Sequence, residues 1–314
     1  AALPANDPPT GPAGPAESSG SSGSSGSVAG TAARLLAAQG RAVTYAGDPA
    51  EGGRRAEQAV ALAQASSDDA ALAHALLAVR AGLTGPEDGP ARRDTATALI
   101  AAAHRAGDDE AAVEGLRLRF VDLLEEGRID EAAADRAAAE AAITTLRRPL
   151  YLWYPPMWRA MEALRTGDPA AGELAEAFRV EGERWQYGDV RLVHGVQAVH
   201  AAIDAGDALG AVTAGEPLLR DHRDRMATVS AYAEVAAGRR DAAAALLAVH
   251  AADDFTRLAI DQSWLYSIAL YAEVAAAVDD ARAAGVLARL LDPWVRSLLV
   301  LGSGALCLGS TAHF

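Results

Sequence analysis

The sequence predicts an all-α protein, an α-solenoid of stacked antiparallel helix hairpins with a period of about 40 residues. Three observations predict it. Alanine dominates a chain that is 51% hydrophobic but only 5% aromatic, and alanine is both the best helix former and small enough for close helix packing. Long Val, Ile and Thr runs of the kind that build strands do not occur. Short polar turns interrupt the helical stretches at recurring intervals.

Residues 1–30 stand apart. "ANDPPTGPAGPAESSGSSGSSGS" is rich in Pro, Gly and Ser and has almost nothing to bury, so residues 1–30 are expected to be disordered. Its Ser/Gly core reads equally as an engineered linker or a natural low-complexity insertion. From Thr31 to Phe314 one helical repeat domain is expected. Apolar residues there recur three and four apart, as in "AEQAVALAQA" and "AGELAEAFRV".

One class of turn falls at Gly47, Gly127, Gly167, Gly206, Gly238 and Val278. Gly ends a helix by accepting a left-handed conformation, and Asp then caps the next helix, with Pro tolerated at its first position. Asp48-Pro49 and Asp168-Pro169 fit this pattern, and Asp48 with Glu51 has capping-box spacing. A second class, at Ser66, Gly107, Pro149, Gly188, Asp221 and Asp253, links one helix pair to the next. A single pair cannot bury its apolar face, whereas stacked pairs can, leaving a concave surface.

Charge and composition exclude several chemistries. The net charge is −14, whereas direct nucleic-acid binding draws on a basic stripe. All 28 basic residues are Arg. Without Lys there is neither a Walker phosphate loop nor a Schiff-base nucleophile. One cysteine, Cys307, allows no internal disulfide, and no signal-peptide pattern opens the chain, so a cytoplasmic setting is expected. The seven His include no i, i+4 pair of the kind a helical metal site uses, and the acidic residues fall in turns where capping accounts for them. No cofactor, metal or catalytic residue is expected.

The one concentrated patch is "RRPLYLWYPPMWRAMEAL". Aromatics filling space between Ala-rich helices account for much of it. Pro155-Pro156 should delay or kink the helix and splay those aromatics. Tyr151, Trp153, Trp158 and Arg159, joined by Trp185 one helix later, are therefore a candidate surface for an aromatic or anionic ligand or a protein partner.

This stretch, with the following "RTGD", resembles the helical-repeat region of large actinobacterial ATP-dependent LuxR-type transcriptional regulators and of related proteins with an adenylate/guanylate cyclase domain. Arg148 and Pro149 precede an aromatic-rich helix as in that pattern. Trp153, the Arg159-Ala160 pair and Gly167 match it too. So do Arg119, Asp122, Leu123 and Gly127 in "DDEAAVEGLRLRFVDLLEEGRIDEAAAD", and "AGDPAEGGRRAEQAVALAQ" as a whole. The resemblance covers roughly residues 31–314. It implies a non-catalytic, tetratricopeptide-like sensor or interaction arm whose concave face takes an inducer or a protein partner. The family's ATPase and helix-turn-helix modules match nothing in this chain. Two other readings are an orphan or truncated repeat fragment without its own activity, and a small-molecule enzyme on a helical scaffold.

The segment "RSLLVLGSGALCLGSTAHF" holds no charged residue from Ser297 to Phe314. It is short for a membrane span and its glycines weaken it further. It lacks the Lys of a phosphate loop. The resemblance implies the first helix of a next repeat, with an array cut at both ends. Such a helix should be frayed, exposed and prone to self-association.

Overall fold

The computed structural model describes residues 28–314. Among them the protein is mostly helical. Its α-helices are α1 (Val28–Tyr45), α2 (Pro49–Ala65), α3 (Asp69–Gly82), α4 (Gly89–Ala106), α5 (Asp109–Glu125), α6 (Ile129–Leu146), α7 (Tyr154–Thr166), α8 (Ala171–Arg184), α9 (Val190–Asp204), α10 (Ala208–Asp221), α11 (Arg223–Ala236), α12 (Arg240–Ala251), α13 (Trp264–Ala277) and α14 (Ala281–Leu291). The expected disordered segment lies outside the described residues except for positions 28–30. Those already belong to α1, where Gly30 is buried.

Each interruption predicted from the sequence falls between two helices. The turn glycines from Gly47 to Gly238 take positive φ, and Asp279 does so at the last such turn. Asp48 caps α2 by accepting the Glu51 amide at 3.0 Å. The reciprocal half of the capping box does not form. The Glu51 carboxylate turns to Arg54 and Arg55 instead, one turn along the same helix, where full charges outweigh one backbone amide. Pro155 and Pro156 occupy the first turn of α7. Amides there have no intrahelical acceptor, so the prolines delay the helix to Tyr154 and start it without loss.

Helices pack on their chain neighbours from α1 to α6 and again from α7 to α12. In addition α1, α3 and α5 touch in succession, as do α7, α9, α11 and α13. The odd-numbered helices therefore form one layer and the even-numbered ones flank it. Packing between α6 and α7 is much thinner than between other neighbours. A 3₁₀ turn at Pro149–Tyr151 and a left-handed Arg147 make that crossing. Far along the chain, the α12–α13 link returns to the α3–α4 link, where the Thr84 hydroxyl donates to Ile260 O at 3.2 Å.

The C-terminal segment is not a helix. Residues Leu298–Leu301 (β1) and Leu306–Ser310 (β2) form an antiparallel hairpin, with Val300 opposite Cys307 and Leu301 opposite Leu306. Gly302 and Gly304 make its turn at positive φ. The register slips by one residue before Leu298–Ser310, and Gly309 at φ 93 absorbs the extra residue on β2. Nor is most of the segment exposed, as the open face of a half-repeat would be. The hairpin lies against α5, α7 and α13. Its side chains enter all three large core clusters. Val300, Ala305 and Cys307 join the first, around Phe120 and Trp158. Leu301 and Leu306 join the second, around Val196 and Tyr266. Leu299 joins the third, around Ile268 and Leu287.

A docked hairpin makes Leu306, which is 0% exposed, a core residue. Leu306→Ala should lower stability by about 2–5 kcal/mol. Leu209→Ala, at a site 65% exposed, should stay within about 0.5 kcal/mol of wild type. Thermal melts followed by circular dichroism read both. Equal, small effects would mean that the hairpin is not part of the core.

Candidate functional site

The apex of the hairpin is where polar groups of the helices converge. Trp158 on α7 is fully buried, and its Nε1–H donates to Ser303 O at 2.9 Å. Gln197 on α9 is fully buried too. Its Nε2 donates to Ala305 O at 2.7 Å and to Met157 O at 3.2 Å. Arg117 on α5 reaches the Ser303 hydroxyl at 3.4 Å. It is held there by an ion pair with Glu114 and by the Tyr154 ring 5.2 Å below its guanidinium. Buried donors must find acceptors or lose on the order of 1–3 kcal/mol each; here the acceptors are mostly backbone carbonyls of the hairpin's turn. A Cβ at Gly304 would come within 2.8 Å of Phe120 and 3.1 Å of Trp158, whose rings meet edge to face at 5.2 Å. The helices thus form a groove that reads backbone and admits only glycine at its tightest point.

The five residues singled out in the sequence divide. Tyr151 is buried and its hydroxyl donates to Glu110 Oε1 at 3.5 Å. Trp153 is half-buried among Tyr154, Phe178 and Tyr187. Trp158 lies beneath the hairpin. Those three share one core cluster. Arg159 is exposed and bonds only back to Pro155 O at 3.4 Å. Trp185 is 45% exposed under its own neighbour Arg184. Tyr187, the other aromatic of "RWQYGD", packs on Trp153 and donates its hydroxyl to Pro149 O. The aromatic patch is therefore a floor covered by the chain's own hairpin, and its outer members point elsewhere.

A second polar cluster has no counterpart in the expectations drawn from sequence, which put acidic residues in turns. Asp122 sits in the last turn of α5 at 1% exposure. Arg80 donates to it at 2.7 Å, and the Arg92 Nε lies 3.4 Å away. Arg92 also pairs with Glu125. The sequence signal was present: "FVDLLEE" sets two carboxylates three residues apart in an apolar frame. Beside the cluster is a cavity of about 20 Å³ bounded by Thr84, Arg92, Glu125, Asp261, Leu298 and Val300, room for a single water. The cluster binds α3, α4 and α5 together, and it offers no nucleophile.

Other reactive groups are quenched by burial. Burial holds His200 neutral by lowering its pKa to about 4, and its Nε2 lies 2.8 Å from the Tyr266 hydroxyl. Burial pushes the Cys307 thiol up, away from thiolate chemistry. Among the described residues no group of His, Cys, Asp and Glu is placed to hold a metal. No helix among them is long and apolar enough to cross a membrane.

Fold and site together show a mostly helical chain whose own C-terminal hairpin packs on α5, α7 and α13. No family model matches the sequence, and no curated protein or solved structure matches it.

The ionic cluster carries a pH signature. Burial raises Glu125 from 4.5 to about 7, against the pull of Arg92. The folded state therefore binds this proton more tightly than the unfolded chain, and the contribution to stability falls as pH rises from 4.5 to about 7. His200 acts in the opposite sense, its contribution being lost as pH falls from 6.5 towards 4. Comparison with Glu125→Gln isolates the first effect. Relative to that variant, wild type should lose up to roughly 3 kcal/mol across this interval, measured by urea unfolding at several pH values. A gain instead would mean that pairing with Arg92 outweighs desolvation.

Proposed function

We propose that this chain is a non-catalytic, tetratricopeptide-like scaffold that recognises polypeptide on the concave side of an α-solenoid with a period of about 40 residues. The observation that carries this reading is the grip on residues 303–305. Trp158 and Gln197 bond to backbone carbonyls there, and Gly304 lies against two aromatic rings that touch edge to face. Main-chain hydrogen bonds supply affinity in peptide recognition, and here they fall on a tight turn at positive φ. The turn spacing and the layer of odd-numbered helices support the solenoid. The motifs around Arg148, Trp153 and Gly167 support a role as the regulatory arm of an ATP-dependent LuxR-type regulator, with a cytoplasmic setting and with any ATPase or DNA-reading module outside these residues.

A labelled peptide spanning residues 297–314 tests the reading. Gly304→Val should weaken docking of the chain's own hairpin, because the added side chain meets Phe120 and Trp158. The peptide should then bind the variant at least about tenfold more tightly than wild type, whose groove is filled in cis at high effective concentration. Adding Trp158→Phe and Gln197→Leu should abolish that gain. Fluorescence anisotropy measures all three. Equal binding by the single and triple variants would remove backbone recognition.

A further inference from the structure

The seated segment is a self-contained unit on a short tether. Its strands pair with each other. Thr311 closes it by donating to Ser297 O through its amide at 2.9 Å and its hydroxyl at 2.8 Å. Between α14 and this unit run Asp292, Pro293, Trp294, Val295 and Arg296, all exposed except the half-buried Trp294. Among the described residues, bonds from the helices to the hairpin apex come from a few side chains, Arg117, Tyr154, Trp158 and Gln197. Leaving the groove therefore breaks no strand pairing. It uncovers Leu299, Leu301 and Leu306 on one side and the hollow between α5, α7 and α13 on the other.

Both uncovered surfaces need apolar cover. A foreign peptide would have to outcompete a tethered hairpin whose effective concentration is on the order of millimolar. It would also need a residue without a Cβ at the point taken by Gly304. The same hairpin from another molecule meets both requirements. Reciprocal exchange refills each groove with an identical unit, loses no contact and closes with two-fold symmetry. The exchanged segment carries no charged residue, so the exchange separates no ion pair. Repulsion between chains of net charge −14 opposes the encounter and weakens with salt.

We infer that the groove's partner in trans is a second copy of this chain, docked by exchange of residues 297–314 across a hinge at 292–296. The inference rests on the polypeptide-recognition reading of the groove. Complementary full-length variants test it. Gly304→Val spoils the hairpin and leaves the groove intact. Trp158→Phe/Gln197→Leu removes two groove donors and leaves the hairpin intact. With different affinity tags, the two are unfolded in urea, mixed, refolded together and analysed by size-exclusion chromatography with light scattering. A heterodimer should form in the mixture and in neither variant alone. Its ratio to monomer should rise about tenfold for a tenfold rise in concentration and increase with salt. Monomers only, while Gly304→Val binds the labelled peptide, overturn the second copy and leave polypeptide recognition standing. Failure of both overturns inference and reading together. Two differently tagged wild-type chains refolded as a mixture provide a measure that needs no variant to fold. Co-purification of the tags, growing with concentration, is expected, and its absence overturns the inference.

Discussion

Burial of one uncharged hairpin against the odd-numbered helices is the interaction on which the rest of this structure depends. Helix-on-helix packing runs well within α1–α6 and within α7–α12 but is thin where α6 passes to α7. The hairpin meets α5 on one side of that crossing and α7 and α13 on the other. It feeds side chains into three core clusters that would otherwise be covered only in part. Hydrophobic burial is non-directional, so it supplies the cohesion. The bonds from Trp158 and Gln197 supply the placement, because a misregistered hairpin would leave buried donors without acceptors.

That division explains why the aromatic patch looked like a binding surface. Aromatics and an arginine gathered in an Ala-rich chain have the composition of a binding surface, and here Trp158 and its neighbours pack against the chain's own hairpin. Phe120, Tyr154 and Trp158 floor the groove, and Arg117 stands at its apex. The buried charges of α3, α4 and α5 serve a different end. Two Arg and two carboxylates without full solvation are tolerable only when each faces an opposite charge. This fixes how α3, α4 and α5 meet, next to the place where the α12–α13 link returns to the α3–α4 link.

Much of the helical framework was legible in the sequence because its causes are local. Alanine content, three- and four-residue spacing, and Gly-Asp turns act within a few residues of each other, and the interruptions at Gly127, Gly167 and Gly206 appear as read. Tyr151, Trp153 and Trp158 were also found, since a concentration of aromatics is visible in one dimension. Arg159 and Trp185 were included for proximity in the chain, and proximity in the chain does not say which way a helix turns its side chains. The hairpin was read as a helix because the resemblance placed it as the first helix of a next repeat. Periodicity could not overrule that: "LLVL" is a short unbroken apolar run, and at that length a buried strand and a buried helix look alike. The Gly302-Ser303-Gly304 break between two apolar runs was the turn signal that could have distinguished them.

By itself the sequence determined helices and turns, because propensity, capping and composition are properties of neighbouring residues. Only the tertiary structure decided what lies on the odd-helix layer, that Trp158 and Gln197 hold backbone, and that Asp122 is buried between two arginines. Those outcomes join residues up to 186 positions apart. Their energies come from burial and from satisfying donors in a medium without water. Neither exists until the chain has closed on itself.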